Sequence, residues 1–177
     1  MRKPAFCLAA ALLLSGSLAH GESPLRATAE MYNTRGEKIG TAFFTEAPEG
    51  QEGVKIYLKL ARLPKGPHGL HIHQAGACEP PDFKSAGGHF NPDGKKHGMK
   101  NPEGMHAGDL PNLVVGEEEN VAFTVTTKSV TLKDGKNSLF QPGGTSLVIH
   151  AGPDDETTDP AGNSGPRIAC GVIARPA

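Results

Sequence analysis

The chain has 177 residues, with 18 Lys and Arg against 19 Asp and Glu, a formal net charge of -1, and eight histidines. It carries no basic block or stripe, which excludes nucleic acid as a partner. Its one apolar run, at the N-terminus, is too short to span a bilayer, which needs roughly 20 residues.

Residues 1–21, MRKPAFCLAAALLLSGSLAHG, read as a secretory signal. Arg2 and Lys3 precede the apolar run Ala5 to Leu14, and small residues follow it to Ala19-His20-Gly21. Cleavage is expected after Ala19 or Gly21. Cys7 lies inside the apolar run rather than just after it, which argues against a lipid anchor. Export implies a periplasmic protein with no membrane attachment after cleavage. The remaining residues 22–177 suffice for one domain with a real core. Losing Arg2 and Lys3 moves the formal charge from -1 to -3.

Alternating stretches dominate this mature region. Leu25 to Tyr32 alternates, Asn33 to Gly36 is a turn, and Lys38 to Phe44 follows. Val54, Ile56, Leu58 and Leu60 alternate with Lys55, Tyr57 and Lys59 at a period of two. Leu70 to Gln74 reads as strand, Leu113 to Val115 as a weaker one, and Val121, Phe123 and Val125 alternate again. Thr145 to His150 and Arg167 to Ala174 complete seven or eight strands with no helix. One-sided strands of this kind bury their apolar faces in a single antiparallel sandwich or barrel. Two segments stand apart: Gln74 to Pro111, rich in Gly, Pro and His, and Ala151 to Pro166, rich in Asp, Gly and Pro. Long loops in a compact domain are usually functional or disordered, and the histidine count favours function.

The mature region keeps two cysteines, Cys78 and Cys170. In an oxidising compartment an even pair suggests a disulfide, and a pair of metal thiolates is the other reading. A bridge would close a loop of about 90 residues and contribute roughly 4 to 5 kcal/mol in the chain-entropy model. It would tie the loop after HGLHIH to a strand near the C-terminus.

HGLHIH, residues 68–73, spends three of the eight histidines in six positions. On a strand, His71 and His73 point the same way with Cα atoms roughly 7 Å apart, so two imidazoles can converge on one ion. His68 has the opposite parity and reads as a structural residue bonded to a backbone group. His97, His106 and Asp109 look like three ligands of a tetrahedral zinc. His71, His73 and His150 look like a copper set open to another nitrogen. His89 lies between the two groups, and spacing does not say which it joins.

The strings GPHGLHIH, SAGGHFNP, KKHG, MHAGDL, LVIHAGPDD and GNSGPRIACGV run in order from about Gly66 to Ile173. Together they closely resemble the motifs of copper/zinc superoxide dismutases, and the exported two-cysteine form resembles a bacterial periplasmic member. The resemblance implies an eight-stranded Greek-key β-barrel with two long functional loops, and one copper and one zinc ion per subunit. It implies dismutation of superoxide to dioxygen and hydrogen peroxide by a copper redox cycle. His89 would bridge both metals. Copper would be held by His71, His73, His89 and His150, and zinc by His89, His97, His106 and Asp109. Cys78 and Cys170 match the family disulfide, and His68 matches a structural histidine. Asp154 matches a carboxylate that bonds one ligand histidine from each site, and Arg167 matches the anion-guiding arginine beside copper. Family members of bacterial origin include monomers and homodimers, and the sequence leaves that choice open.

In one respect the chain departs from the family. Ala151 to Pro166 contains Asp154, Asp155, Glu156 and Asp159 but no lysine, where many members carry lysines that steer the anion. Steering would then fall to Lys84, Lys95, Lys96 or Lys100. Two rival readings are a copper-binding or copper-delivery protein with the same fold and no turnover, using Met99 and Met105 as soft ligands, and a structural β-sandwich with incidental histidines.

Overall fold

The computed structural model describes residues 24–48 and 50–176. The signal-peptide reading of residues 1–21 lies outside them. Eight strands follow in chain order: β1 Arg26–Asn33, β2 Lys38–Glu46, β3 Val54–Leu60, β4 Gly66–His73, β5 Asp109–Val115, β6 Val121–Thr127, β7 Thr145–His150 and β8 Arg167–Ile173. Among the described residues the one regular helical segment is a 3₁₀ turn, Lys84–Ala86. No described helix is long and apolar enough to cross a membrane.

Alternation drives the sheet. In β3, VKIYLKL, the valine, isoleucine and two leucines are buried and the intervening Lys55, Tyr57 and Lys59 are exposed. Asn33 closes the first hairpin by accepting the N–H groups of Arg35 at 2.9 Å and Glu37 at 3.0 Å on its side-chain oxygen, and Gly36 supplies the positive φ of 75°. The strands form one antiparallel sheet in the order β5-β4-β7-β8-β1-β2-β3-β6. Its end strands, β5 and β6, approach each other, so the sheet nearly closes. This is the eight-stranded barrel that the sequence resemblance implies.

The inward faces build the core from Ala27, Ala29, Met31, Phe44, Ile56, Leu58, Leu70, Ile72, Leu113, Leu147 and Ile149, with partners from the loops. Each fully buried Leu, Ile, Phe or Met side chain among them contributes about 1.5 to 3 kcal/mol. β4 and β7 differ from β3, because nearly all their residues are buried. Their outer faces lie under the long loops. A second small cluster, Phe83, Ala86, Val148 and Cys170 with Cys78, seals that outer side. The disulfide between Cys78 and Cys170 pins the loop there. His71 and His73 of β4 and His150 of β7 therefore face away from the barrel interior and are still shielded from water.

The boundaries shift by more than two residues in two places. β4 begins at Gly66, so His68 is in the strand. β5 begins at Asp109, which the sequence reading leaves in the long loop; pairing of Asp109 with His71 draws it into the sheet. A further loop, residues 128–144, joins β6 to β7. Buried Glu46 anchors it, accepting the Leu132 N–H at 2.5 Å and the Thr131 hydroxyl at 2.8 Å.

Candidate metal centre

β4, β7, β5 and the two long loops bring seven ligand-type side chains together beside the barrel. Two sets of four emerge, His71, His73, His89 and His150 in one and His89, His97, His106 and Asp109 in the other. All are buried, and within each set the ligand atoms lie within 4.8 Å of one another. His89 belongs to both. Its place in space settles what spacing along the chain leaves open.

In the first set, His71 and His73 lie on one face of β4, and His150 ends the adjacent strand β7. Each ring is oriented by a bond on its far nitrogen. His71 Nε2 lies 2.7 Å from Asp154 Oδ2, His73 Nδ1 donates to the Gly87 carbonyl at 2.9 Å, and His150 Nδ1 donates to the Gly165 carbonyl at 2.9 Å. The opposite nitrogens are His71 Nδ1, His73 Nε2 and His150 Nε2. With His89 Nε2 they are buried and have no hydrogen-bond partner. An unpaired buried polar atom is costly, and four of them converging from four rings fit a copper ion. Four imidazole nitrogens gathered within 4.8 Å of one another, without a thiolate, would suit copper.

In the second set, Asp109 Oδ1 lies 2.9 Å from His89 Nδ1, 3.0 Å from His97 Nδ1 and 3.4 Å from His106 Nδ1. His106 Nδ1 is also 3.4 Å from His89 Nδ1. Hydrogen bonding accounts poorly for this, since it would set two ring nitrogens against each other and three on one oxygen. The edge of a tetrahedron around zinc, with bonds near 2.0 to 2.1 Å, is about 3.3 Å. The four separations given, 2.9 to 3.4 Å, lie near that edge length, so the set would suit zinc. The other Asp109 oxygen accepts the backbone N–H groups of Gly98 at 2.9 Å and His106 at 3.0 Å, which fixes the carboxylate.

Burial sets the charge state of three rings of the first set, His73, His89 and His150. It lowers His150 to about 3 and His89 to about 4, with the Asp109 bond to His89 only partly opposing it, and it holds His73 well below the ordinary imidazole range. Neutral rings with free lone pairs are the form a metal requires. His97 moves the other way, to about 9: burial lowers it, but the carboxylates of Asp109 and Asp154 on its two nitrogens outweigh burial. Burial raises the two acids, and their bonds from the histidines and from backbone N–H groups more than reverse this, so both stay ionised. The pocket between His97 and the two acids is thus built to hold positive charge, whether a proton or a metal ion.

Asp154 ties the two sets together. Its Oδ2 faces His71 Nε2 at 2.7 Å and its Oδ1 faces His97 Nε2 at 2.9 Å. Asn112 grips Asp154 by a reciprocal pair of bonds, donating to its carbonyl and accepting its N–H, both at 2.8 Å. The loop comes close enough to do this because glycines line the approach. A Cβ on Gly162 would stand 1.7 Å from Asp154 Oδ1, and one on Gly69 would stand 2.8 Å from Ser164 Cβ.

His68 stands outside both sets. Its ring nitrogens lie 2.8 Å from the His150 carbonyl and 2.7 Å from the Pro64 carbonyl. It holds the backbone of a ligand residue and points no nitrogen at the metal sets.

Arg167, the first residue of β8, lies in a cleft of about 370 Å³ that His73, His89, His106 and His150 also line. Its guanidinium donates to the Phe83 carbonyl at 2.6 Å and the Gly87 carbonyl at 2.5 Å. The Gly87 carbonyl therefore orients both His73 and Arg167. The steering lysines proposed from the sequence are mostly neutralised: Lys84 pairs with Asp82 at 2.8 Å, Lys96 with Asp159 at 3.4 Å and Lys100 with Glu156 at 2.8 Å. A roomier hollow of about 740 Å³ lies on the outer face of β2, β3 and β6 beside Phe43 and Tyr57, and no ligand histidine or carboxylate lines it.

Residues 38–173 match the family model for copper/zinc superoxide dismutase. The chain belongs to the copper/zinc superoxide dismutase family. It is 54% identical over 175 residues to superoxide dismutase [Cu-Zn] 2 of Aquifex aeolicus, covering 98% of this chain and 99% of that one. A superoxide dismutase-like protein from Bacillus subtilis of known crystal structure is 40% identical with a TM-score of 0.79, across 83% of this chain and 97% of that one. The Brucella abortus Cu/Zn superoxide dismutase is 31% identical with a TM-score of 0.68, across 84% of this chain and 99% of that one.

Sequence reasoning did not single out Asn112, Asp159 or the carbonyls of Phe83, Gly87 and Gly165. The carbonyls carry no side-chain signature, so composition offers no signal for them. Asn112 follows a proline at the start of a weak strand, a position that reads as turn.

Proposed function

We infer that this chain dismutates superoxide, converting two superoxide anions and two protons into one dioxygen and one hydrogen peroxide. The reading rests above all on one ring, His89, which presents one nitrogen to each of two four-ligand sets. Bound copper supplies the one-electron couple, while zinc, with no second oxidation state, supplies charge and structure. His71, His73, His89 and His150 would hold copper, and His89, His97, His106 and Asp109 would hold zinc.

A ring that ligates through both nitrogens carries no proton. Freed at Nε2, His89 is a base at the floor of the cleft, able to take a proton and deliver it to the reduced substrate. Asp109, 2.9 Å from Nδ1, would keep that side of the ring in place while Nε2 takes up or gives up a proton. Arg167, fixed by two carbonyls, offers a guanidinium to a small anion entering the cleft. That group supports turnover over copper carriage, since a carrier has no use for an anion guide. Residues 1–21 act as the export signal, and residues 22–177 form the enzyme, which works in the periplasm as a monomer or homodimer.

Copper- and zinc-loaded protein should consume superoxide catalytically and should not pass its copper to an acceptor. Copper transfer without superoxide consumption would establish the carrier reading instead. Zinc-depleted protein should keep copper but narrow its pH range of activity, because His89 loses its fixed side. An unchanged pH profile after zinc removal would remove that role from His89.

A further inference from the structure

Asp159 lies in the loop between β7 and β8 and belongs to neither ligand set. Its Oδ1 accepts the backbone N–H of His97 at 2.7 Å, and the same oxygen lies 3.9 Å from His106 Nε2. That nitrogen is the one His106 does not turn toward Asp109. A single carboxylate therefore holds the backbone of one zinc-side histidine and faces the far nitrogen of another. Asp154 holds the far nitrogen of His97, so His97 is fixed at two points by one loop. Neighbouring bonds seat that loop on the 91–108 segment: Lys100 N–H donates to the Glu156 carbonyl at 2.9 Å, and Asn101 donates to the Thr157 carbonyl at 3.1 Å. The next two residues, Pro160 and Ala161, line the metal cleft.

We propose that Asp159 is a positioning residue for the zinc site, holding His97 and His106 in ligating geometry and slowing escape of the ion. The inference rests on the zinc set described above and extends it to a residue that touches no metal. The physics is that of outer carboxylates on ligand histidines, which fix ring orientation and raise ligand basicity. The 3.9 Å separation from His106 is too long for a direct hydrogen bond, so there the effect is electrostatic. Asp159 also meets Lys96 at 3.4 Å, but that pair is exposed and contributes little.

The test uses the fully loaded protein and a chromophoric zinc chelator. Zinc release is followed optically, and copper is followed by its EPR spectrum. Asp159→Ala should release zinc about 10- to 100-fold faster than the parent with copper retained, and Asp159→Asn, which keeps an acceptor for the His97 N–H, should fall between them. Lys96→Ala should release zinc within about twofold of the parent, since its pair with Asp159 is solvent-screened. Parent-like release from Asp159→Ala overturns the proposal. So does release from Lys96→Ala as fast as from Asp159→Ala, or copper loss in step with zinc. Cobalt substitution separates this failure from failure of the underlying reading. A parent chain that gives no tetrahedral cobalt spectrum overturns the zinc set itself.

Discussion

The two halves of the metal centre stand on different kinds of backbone. On the copper side, His71 and His73 sit in β4 and His150 ends β7, two strands paired in the middle of the sheet. On the zinc side, His97 and His106 sit in a loop, and only Asp109 begins a strand. The strands impose their geometry through the ladder and the core, whereas the loop takes its shape from Asp109, Asp154 and Asp159. The copper-side set is therefore preorganised by the barrel, and the zinc-side set by hydrogen bonds that a bound zinc ion would reinforce. His89 joins a rigid frame to a softer one.

The sharpest way to break that contrast is to remove a strand-borne ligand. His150→Ala should leave the barrel folded but lower copper content and superoxide consumption by more than the roughly 100-fold that loss of an outer partner costs. Metal analysis with a superoxide assay checks it, and an active variant would mean that β7 does not carry a copper ligand.

Acid stability probes the same side without metal. The folded values of about 4 for His89 and about 3 for His150 lie below the ordinary 6.5, and His73 is lowered too. As pH falls below 6.5, the unfolded chain binds protons at these three rings and the folded chain does not. His97, raised to about 9, is protonated in the folded state throughout that window, so it partly opposes the trend near pH 7 and stops contributing as its unfolded ring fills below 6.5. Metal-free protein should thus lose stability as pH falls, by up to roughly 1.4 kcal/mol per pH unit for each ring. Urea midpoints taken from about pH 7 down to about pH 5 measure it, and a flat series would show that burial does not keep these rings neutral.

Asp154→Ala should blur the contrast, because its two oxygens reach one histidine on each side. Affinity for both metals should fall about 10- to 100-fold. Loss confined to one metal, read by competition against chelators, would show that the bridge does not couple the halves. The smallest effect belongs to Arg167→Ala, which should keep both metals, lower the second-order rate about 10-fold and flatten its salt dependence. With Lys84, Lys96 and Lys100 paired to carboxylates, the proposed guidance falls to Arg167 and Lys95, and an unchanged rate at low salt would remove Arg167 from that role.

Much of this was legible in the residues. Period-two alternation marks β3 and β6 with little ambiguity, because a half-buried strand must alternate. Strand parity alone separates His71 and His73 from His68. Asp109 shows where that reasoning stops: it follows a histidine loop and lies just ahead of a proline, so it reads as loop, and only pairing with His71 makes it strand. The lysines show the same limit, since whether a surface cation is free depends on which acid folds against it.

The sequence by itself determined the strand periodicity, the supply of imidazole and carboxylate donors, and which histidines on one strand share a face. These follow from local geometry, in which each residue's direction is fixed by its neighbours in the chain. Residue spacing left open that His89 belongs to both sets and that Asp154 spans them, which the family motifs implied and the tertiary structure shows, and only the tertiary structure decided that backbone carbonyls at positions 83, 87 and 165 aim the working side chains. Those outcomes depend on segments tens of residues apart meeting at fixed distances, and on main-chain groups that every residue carries alike.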